Sequence, residues 1–221
     1  YGIFIGLGVI FGVVFAMLEA KRTKQDPDMY VDFVIYALIF AIIGARLYYV
    51  AFSWDYYSTN PAKIFAIREG GLAIYGAVIG AALSIVVYCK VRKLSLPSVL
   101  DIAALGFLIG QAIGRWGNFF NREAFGAETE SFLRMGLTNR FTGQITYFHP
   151  TFLYESVWNA VGFALLHFLS KKRKYDGQVA LGYLAWYGLG RTFIEGLRMD
   201  SLYWGNFRVS QLLAAVSCFA A

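Results

Sequence analysis

The chain has little charge and few cysteines. Only 15% of its 221 residues are Asp, Glu, Lys or Arg, whereas 58% are hydrophobic. Soluble globular domains carry about 25% charged residues, so this composition excludes that class and indicates a polytopic membrane protein. Two cysteines, Cys89 and Cys218, lie in apolar stretches, where we expect them to pack rather than to form a disulfide or a metal cluster. The formal charge of +6 comes with no nucleic-acid-binding motif.

Long apolar segments follow one another along the chain. A helix needs about 20 residues to cross the hydrocarbon core, and most of the segments are long enough. The first lacks the pattern of a cleavable signal, so we expect it to be retained. The sequence therefore predicts an all-α polytopic membrane protein of about seven transmembrane helices, within residues 1–18, 33–52, 72–88, 99–119, 152–169, 179–197 and 209–221.

The loops between these segments differ in charge. Lys and Arg cluster in segments 21–24, 90–93 and 171–174, and the loops that alternate with them lack such clusters. The positive-inside rule places the three basic segments in the cytoplasm and the N-terminus outside. The one long connection, 120–150, then lies outside as a small extracellular cap. Without internal repeats, the chain 1–221 is predicted to be a single transmembrane domain into which this cap is inserted.

Three arginines, Arg46, Arg115 and Arg191, lie inside the predicted helices. An arginine at mid-bilayer depth costs about 2.5–3.5 kcal/mol on insertion scales, and a guanidinium cannot lose its charge. The simplest use of such residues is to hold an anion at membrane depth. Arg46 lies toward the outer end of its segment, so snorkelling to the interface explains it equally well.

The sixth segment carries a polar stripe. Tyr187, Arg191, Glu195 and Arg198 are spaced i, i+4, i+8 and i+11, which puts them on one face of a helix. Glu195 can pair with either arginine, which leaves the other to face an external anion. A purely structural Arg–Glu–Arg ladder at the outer membrane edge is the alternative.

The end of the fourth segment is the strongest polar cluster. Apolar sequence passes directly into Arg115, Asn118, Asn121 and Glu123, and Gly117 permits a close approach. The guanidinium of Arg115 offers a planar fork of N–H donors that matches a phosphate, and the asparagines can bind glycerol-like hydroxyls. A helix-end cap is the alternative, although it would not need so many polar groups.

Two further positions have local explanations besides a functional one. Tyr75 follows the glycine pair that opens the third segment and lies about one turn inside the membrane, as interfacial tyrosines do. Asp101 either lines a polar interior with Arg115 or caps its own helix together with Ser98.

Taken together, these clusters resemble the prolipoprotein diacylglyceryl transferase family of the bacterial cytoplasmic membrane. The matching residues occur in the family's order and span nearly the whole chain. They are Tyr1-Gly2, Glu69-Gly70-Gly71-Leu72 through Gly76, Gly114-Arg115 with Gly117, Asn118, Asn121, Glu123 and Gly126, His149-Pro150-Thr151 with Leu153-Tyr154-Glu155, and Gly190-Arg191 with Glu195 and Arg198.

The resemblance implies that the diacylglyceryl group of phosphatidylglycerol moves to the lipobox cysteine thiol of a preprolipoprotein, and that sn-glycerol-1-phosphate leaves. It implies no cofactor and no metal, and an active site on the extracellular side of a multi-pass protein of the bacterial cytoplasmic membrane. It implies Arg115, Arg191 and Tyr75 as catalytic residues. The substrate-binding residues would be Tyr1, Gly70, Gly71, Gly76, Asn118, Asn121, Glu123, Gly126, Tyr187, Glu195 and Arg198.

Tyr75 departs from the family's pattern, because many members carry histidine there as a candidate base. Tyrosine is the poorer base at neutral pH. Either a nearby arginine activates Tyr75, or Tyr75 binds the substrate by a hydrogen bond, which we favour. Two other classes remain open, a transporter for an organic anion or a lipid and a lipid-binding scaffold. The sequence lacks the internal duplication typical of transporters.

Overall fold

The structure is a computed structural model, and it describes residues 1–139, 141–197, 203–204 and 207–208. The chain is mostly helical and divides into two compact units. Tyr1–Glu19 and Leu100–Ala221 form the first unit, and Ala20–Val99 form the second. Below they are called the terminal unit and the central unit.

The described part of the chain forms seven α-helices, two 3-10 helices and four short strands. The α-helices in the described part of the chain are α1 (Gly2–Arg22), α2 (Asp28–Phe52), α3 (Trp54–Thr59), α4 (Ile74–Val91), α5 (Leu96–Asn121), α6 (Thr151–Ser170) and α7 (Gln178–Glu195). Two 3-10 helices, Pro61–Phe65 and Ile67–Glu69, precede α4. The strands are β1 (Met135–Thr138), β2 (Ile145–Phe148), β3 (Tyr203–Trp204) and β4 (Phe207–Arg208), and they pair antiparallel as β1–β2 and β3–β4.

Five helices, α1, α2, α4, α5 and α6, are long and apolar enough to cross a membrane. They confirm the prediction of a multi-pass membrane protein for five of the predicted spans. The sixth predicted span is also a helix, α7, but it falls outside this group, and the seventh lies outside the described residues. The count of seven therefore stays a prediction. So does the inserted extracellular cap, whose segment 120–150 contains the β1–β2 hairpin.

In the terminal unit, α1 and α5 approach each other through glycines. A Cβ on Gly8 would lie 2.8 Å from the carbonyl oxygen of Gly110, and one on Gly12 would lie 2.8 Å from that of Gly106. Small residues four apart allow such close contact between helix backbones. These four glycines therefore serve helix packing. The same unit contains a buried cluster of Leu105, Leu108, Leu166 and Val179.

In the central unit, α2 and α4 pack antiparallel along their length. Gly44 of α2 lies against Gly76 and Gly80 of α4, while Tyr36, nearer the start of α2, meets Tyr88 near the end of α4, with ring centroids 5.8 Å apart. The glycine spacing Gly76–Gly80 therefore serves helix packing.

Gly8→Leu tests the glycine contact in the terminal unit. We expect a loss of about 1–3 kcal/mol in the free energy of unfolding, because the larger side chain must push two backbones apart. The measurement is thermal unfolding of the full chain in detergent. Gly6→Leu is the matched control, since a Cβ there meets nothing within 4 Å. Equal melting temperatures for the two variants would contradict the packing role.

Candidate active site

The end of α5 turns the chain back on itself and gathers polar side chains. Arg122 takes a left-handed conformation, with φ at 55°, and the Glu123 amide donates to the Asn118 carbonyl at 3.1 Å. This is the Schellman pattern that ends many helices. It brings the Glu123 carboxylate within 3.1 Å of the Asn118 amide nitrogen and 3.5 Å of that of Asn121. The cluster thus ends the helix, which was the alternative explanation from the sequence. It also brings several polar side chains together.

One buried carboxylate lies between the two arginines of the predicted site. Glu155 of α6 contacts Arg115 of α5 at 2.5 Å through one oxygen, and Arg191 of α7 at 3.4 Å through the other. Arg191 also pairs with Glu195 at 2.7 Å, as its spacing predicts. The side chain of Glu155 is only 8% exposed, so these charges hold three helices together where water is scarce.

Glu155 is the residue at the centre of the candidate site that the sequence patterns do not predict. It belongs to a string that matches the family, but its partners lie on other helices, so no spacing rule links it to them. The signal that could have found it is the presence of an acidic residue in an apolar helix, since two arginines buried in helices require carboxylate partners.

Arg115 keeps hydrogen-bond donors that no neighbour uses. Within residues 1–139 and 141–197, only one of its terminal nitrogens has a partner, and its side chain is 24% exposed. The guanidinium has five N–H groups in all. Arg115 can therefore bind a further anion while Glu155 holds it in place.

A small cavity adjoins Arg191. Its volume is about 10 Å³, and polar groups of Glu155, Asn159, Tyr187 and Arg191 line it. That volume is near the minimum for one water molecule. Asn159 is only 5% exposed and lines this cavity. Its amide can hydrogen-bond to a water molecule or a ligand hydroxyl there.

Two tryptophans fix α6 against α7. The rings of Trp158 and Trp186 stack with centroids 4.3 Å apart, and each indole N–H donates to the other residue's backbone carbonyl at 3.0 Å. Gly162 and Gly190 lie beneath the indoles, where any side chain would clash. The pair sets the register of the helices, and this register brings Glu155 to Arg191.

Asp101 caps the N-terminus of α7. One carboxylate oxygen accepts from the amides of Val179 and Ala180, each at 2.9 Å, and the other accepts from the Gly177 amide at 2.9 Å and from Arg173 at 3.1 Å. Asp101 is therefore fully engaged with α7. It does not cap its own helix, and its oxygens bind the start of α7 instead of lining a polar interior with Arg115, which corrects both expectations from the sequence.

Two other predicted residues of the terminal unit, Tyr1 and Gly126, make packing contacts. The exposed Tyr1 ring lies against Gly117 in the last turns of α5. Gly126 donates its amide to the His149 carbonyl at 2.9 Å, and a Cβ on it would lie 2.8 Å from the Leu197 oxygen. Gly126 thus supports the loop by packing. Arg198 lies outside the described residues.

In the central unit, Arg46 uses every N–H donor on backbone carbonyls. It is 7% exposed, so it neither snorkels nor offers a donor to an external anion, and the expectation from the sequence is wrong for this arginine. It instead fixes the segment that leads into α4. The acceptors are the carbonyls of Ile64 at 2.8 Å, Gly70 at 2.7 Å, Gly71 at 2.9 Å, Lys63 at 2.6 Å and Ala66 at 3.4 Å.

The remaining predicted residues lie where that segment meets α4. Gly70 and Gly71 have φ values of 91° and 74°, which suit glycine and turn their carbonyls toward Arg46. Tyr75 is 43% exposed, its ring centroid lies 6.4 Å from that of Tyr48, and its hydroxyl makes no hydrogen bond in the described part of the chain.

A salt bridge links the two ends of the segment 63–69 that precedes α4. The Lys63 ammonium donates to the Glu69 carboxylate at 2.7 Å, and this hydrogen bond raises the pKa of Lys63.

Arg46→Lys tests the backbone clamp. Lysine has three donors and no fork, so at least one buried carbonyl loses its partner, which costs about 1–3 kcal/mol. We expect faster tryptic cleavage after Lys63 and Arg68 in the folded full chain, measured by mass spectrometry of the fragments. Arg68→Lys is the control, because Arg68 is exposed and trypsin cleaves after lysine as well as after arginine. Cleavage of Arg46→Lys at the wild-type rate would contradict the clamp.

Comparison with known families adds a finding independent of the geometry. The family described as "Prolipoprotein diacylglyceryl transferase" matches residues 1–221. A phosphatidylglycerol–prolipoprotein diacylglyceryl transferase of Listeria monocytogenes serotype 4a is 45% identical over 220 residues, which cover 97% of this chain and 79% of the relative. The enzyme of the same name from Bacillus cytotoxicus is 47% identical over 220 residues, covering 97% and 82%.

Proposed function

The chain belongs to the prolipoprotein diacylglyceryl transferase family, and we propose that its arginines hold the phosphate of phosphatidylglycerol during the transfer. It is a membrane enzyme that moves the diacylglyceryl group of phosphatidylglycerol to a prolipoprotein. The transporter alternative is not supported. The observation that carries the proposed site is the meeting of Arg115 and Arg191 at Glu155, beside the Asn118–Glu123 cluster.

The reaction displaces a phosphate ester at a glycerol carbon. The lipobox cysteine sulfur forms a C–S bond with that carbon, and the C–O bond to phosphate breaks with its electron pair on oxygen. The thiol proton passes to water or to the departing glycerol phosphate. Negative charge therefore grows on the departing glycerol phosphate. A group that stabilises this charge must be in place beforehand, because reorganising it during the reaction would cost free energy.

Arg115 and Arg191 are suited to this task. Glu155 holds both guanidinium groups, and the free donors of Arg115 can take the phosphate oxygens. Positive charge beside the thiol also favours the thiolate. Glu195 orients Arg191, and Arg198 would extend the cationic surface in this proposal.

Asn118, Asn121 and Glu123 would hold the glycerol headgroup. Their amide and carboxylate groups converge within 3.1–3.5 Å of one another, so they offer both donors and acceptors to hydroxyls. Tyr1 and Tyr187 would complete the polar wall. Tyr75 would hydrogen-bond to the substrate, since its hydroxyl has no described partner, and the glycines Gly70, Gly71, Gly76 and Gly126 would shape the backbone around the headgroup.

The charge of the loops supports an active site on the extracellular side. Segments 21–24, 90–93 and 171–174 would be cytoplasmic, and Arg115 and Arg191 lie toward the helix ends remote from them in sequence. This side suits a peptide substrate that has just been translocated. The bacterial cytoplasmic membrane is the corresponding location.

The function itself is tested with the purified full chain in lipid. Phosphatidylglycerol labelled in its diacylglyceryl part and a lipobox peptide are expected to give labelled peptide and free glycerol phosphate. Passage of label across sealed proteoliposomes without peptide would instead indicate transport. Binding of labelled lipid without either result would indicate a scaffold.

Arg115→Lys tests the phosphate clamp. It keeps the charge and loses the fork, so we expect turnover to fall about 10²–10³-fold, as when a stabilising donor is removed from other transition states. The assay above measures it, alongside membrane insertion. Arg122→Lys is the matched control, because Arg122 is exposed two turns further on. Wild-type turnover by Arg115→Lys would overturn the clamp.

Glu155→Gln tests the shared carboxylate. Arg115 then lacks a buried negative partner and Arg191 keeps only Glu195. Breaking such a buried pair typically costs about 3–5 kcal/mol. We expect a lower melting temperature and a larger stabilisation by added phosphatidylglycerol than in the wild type, because its phosphate replaces the missing charge. The exposed Glu128→Gln serves as control. A lipid effect no larger than in the wild type would contradict this arrangement.

A further inference from the structure

A larger cavity lies along the helix pair of the central unit. Its volume is about 530 Å³, and α2 and α4 together with the residue after α4 line it. One part of the wall is apolar, formed by Phe40, Leu83 and Val87, and the other part carries Asp32, Tyr88 and Arg92. The cavity thus has the two-part character of a phospholipid, with an oily stretch and a charged end.

The antiparallel packing explains the charged end. Asp32 lies in the first turns of α2, Arg92 directly follows α4, and these two ends come together, as the Tyr36–Tyr88 contact at 5.8 Å indicates. The basic segment 90–93 marks the same end of the helix pair. In the orientation proposed above, this end faces the cytoplasm.

The charged groups at this end are not paired with each other. Within the described residues, Asp32 and Arg92 form no ion pair with each other or with another side chain, although both charges act on the Tyr88 hydroxyl. The Arg92 guanidinium carbon lies 5.9 Å from the Tyr88 ring centroid. The Tyr88 hydroxyl is buried and makes no hydrogen bond in this part of the chain. One carboxylate, one guanidinium and one hydroxyl therefore line the cavity and can bind a ligand.

We propose that this cavity binds a membrane phospholipid whose headgroup carries an ammonium group as well as a phosphate, as in phosphatidylethanolamine. Arg92 takes the phosphate, for which its fork of donors is suited, and Asp32 takes the ammonium group. An acyl chain lies on Phe40, Leu83 and Val87. The site thus differs from that of the donor lipid, since phosphatidylglycerol has no ammonium group to pair with the Asp32 carboxylate.

Such a lipid joins the two helices at the end opposite the one held by Arg46. Arg46 fixes the segment before α4 through backbone carbonyls, and Tyr75 lies in the first turn of α4. A headgroup that contacts both Asp32 and Arg92 ties the start of α2 to the end of α4. The helix pair that carries Tyr75 is then fastened at both ends.

The test measures lipid binding to the purified full chain in detergent by native mass spectrometry, with phosphatidylethanolamine and phosphatidylglycerol of the same acyl chains. We expect about a tenfold preference for phosphatidylethanolamine, the ratio that corresponds to one hydrogen bond between charged groups. Asp32→Asn should abolish the preference, and Arg92→Gln should weaken binding of both lipids. Asp28→Asn is the matched control, because Asp28 is exposed in the same turn but does not line the cavity.

A further variant fills the cavity without changing its charges. Val87→Trp places an indole on the apolar wall, and since Val87 is 58% exposed the substitution does not disturb a packed core. It should reduce retention of phosphatidylethanolamine while the melting temperature of the lipid-free protein stays the same. Equal binding of the two lipids, or a preference that survives Asp32→Asn or falls equally with Asp28→Asn, would overturn the proposal. Because binding is measured directly, the result is independent of the transfer reaction.

Discussion

A guanidinium keeps its charge in an apolar helix, so it must find oxygen atoms there. Two arginines of this protein find them on one side chain, because Glu155 contacts Arg115 at 2.5 Å and Arg191 at 3.4 Å. Helices α5, α6 and α7 meet at this carboxylate. Glu155 occupies one edge of the Arg115 guanidinium and holds it in place, and the proposed function assigns the remaining donors to a lipid phosphate.

The same constraint has a different solution in the central unit. Arg46 satisfies its donors with backbone carbonyls from residues 63–71, so an identical residue type in a similar sequence setting is structural. The sequence is equally compatible with an anion site and with snorkelling for Arg46, and it does not predict the backbone carbonyls that Arg46 binds. The reason is physical, since the loop geometry that aims several carbonyls at one point depends on two glycines with positive φ and not on the arginine itself.

What could be predicted followed from local spacing. Hydropathy predicted the five apolar helices, the i, i+4 rule predicted the Arg191–Glu195 pair, and the polar run after Arg115 predicted the cluster of Asn118 and Glu123. Contacts between distant segments could not be read in this way. Glu155, the tryptophan pair and the role of Asp101 each depend on which helix faces which. Helix ends also escaped hydropathy, because α2 begins at Asp28 with a turn that is helical without being apolar.

The cap that Asp101 forms has a consequence for biosynthesis. Asp101 is made long before its partner, since the Gly177 amide lies 76 positions later in the chain. Until those amides emerge from the ribosome, the carboxylate has none of its backbone donors and favours the aqueous boundary over the lipid. Arrival of α7 then satisfies the carboxylate and completes the helix's first turn in one step. The order of synthesis and the order of assembly are therefore coupled, with α5 serving as the template on which α7 docks.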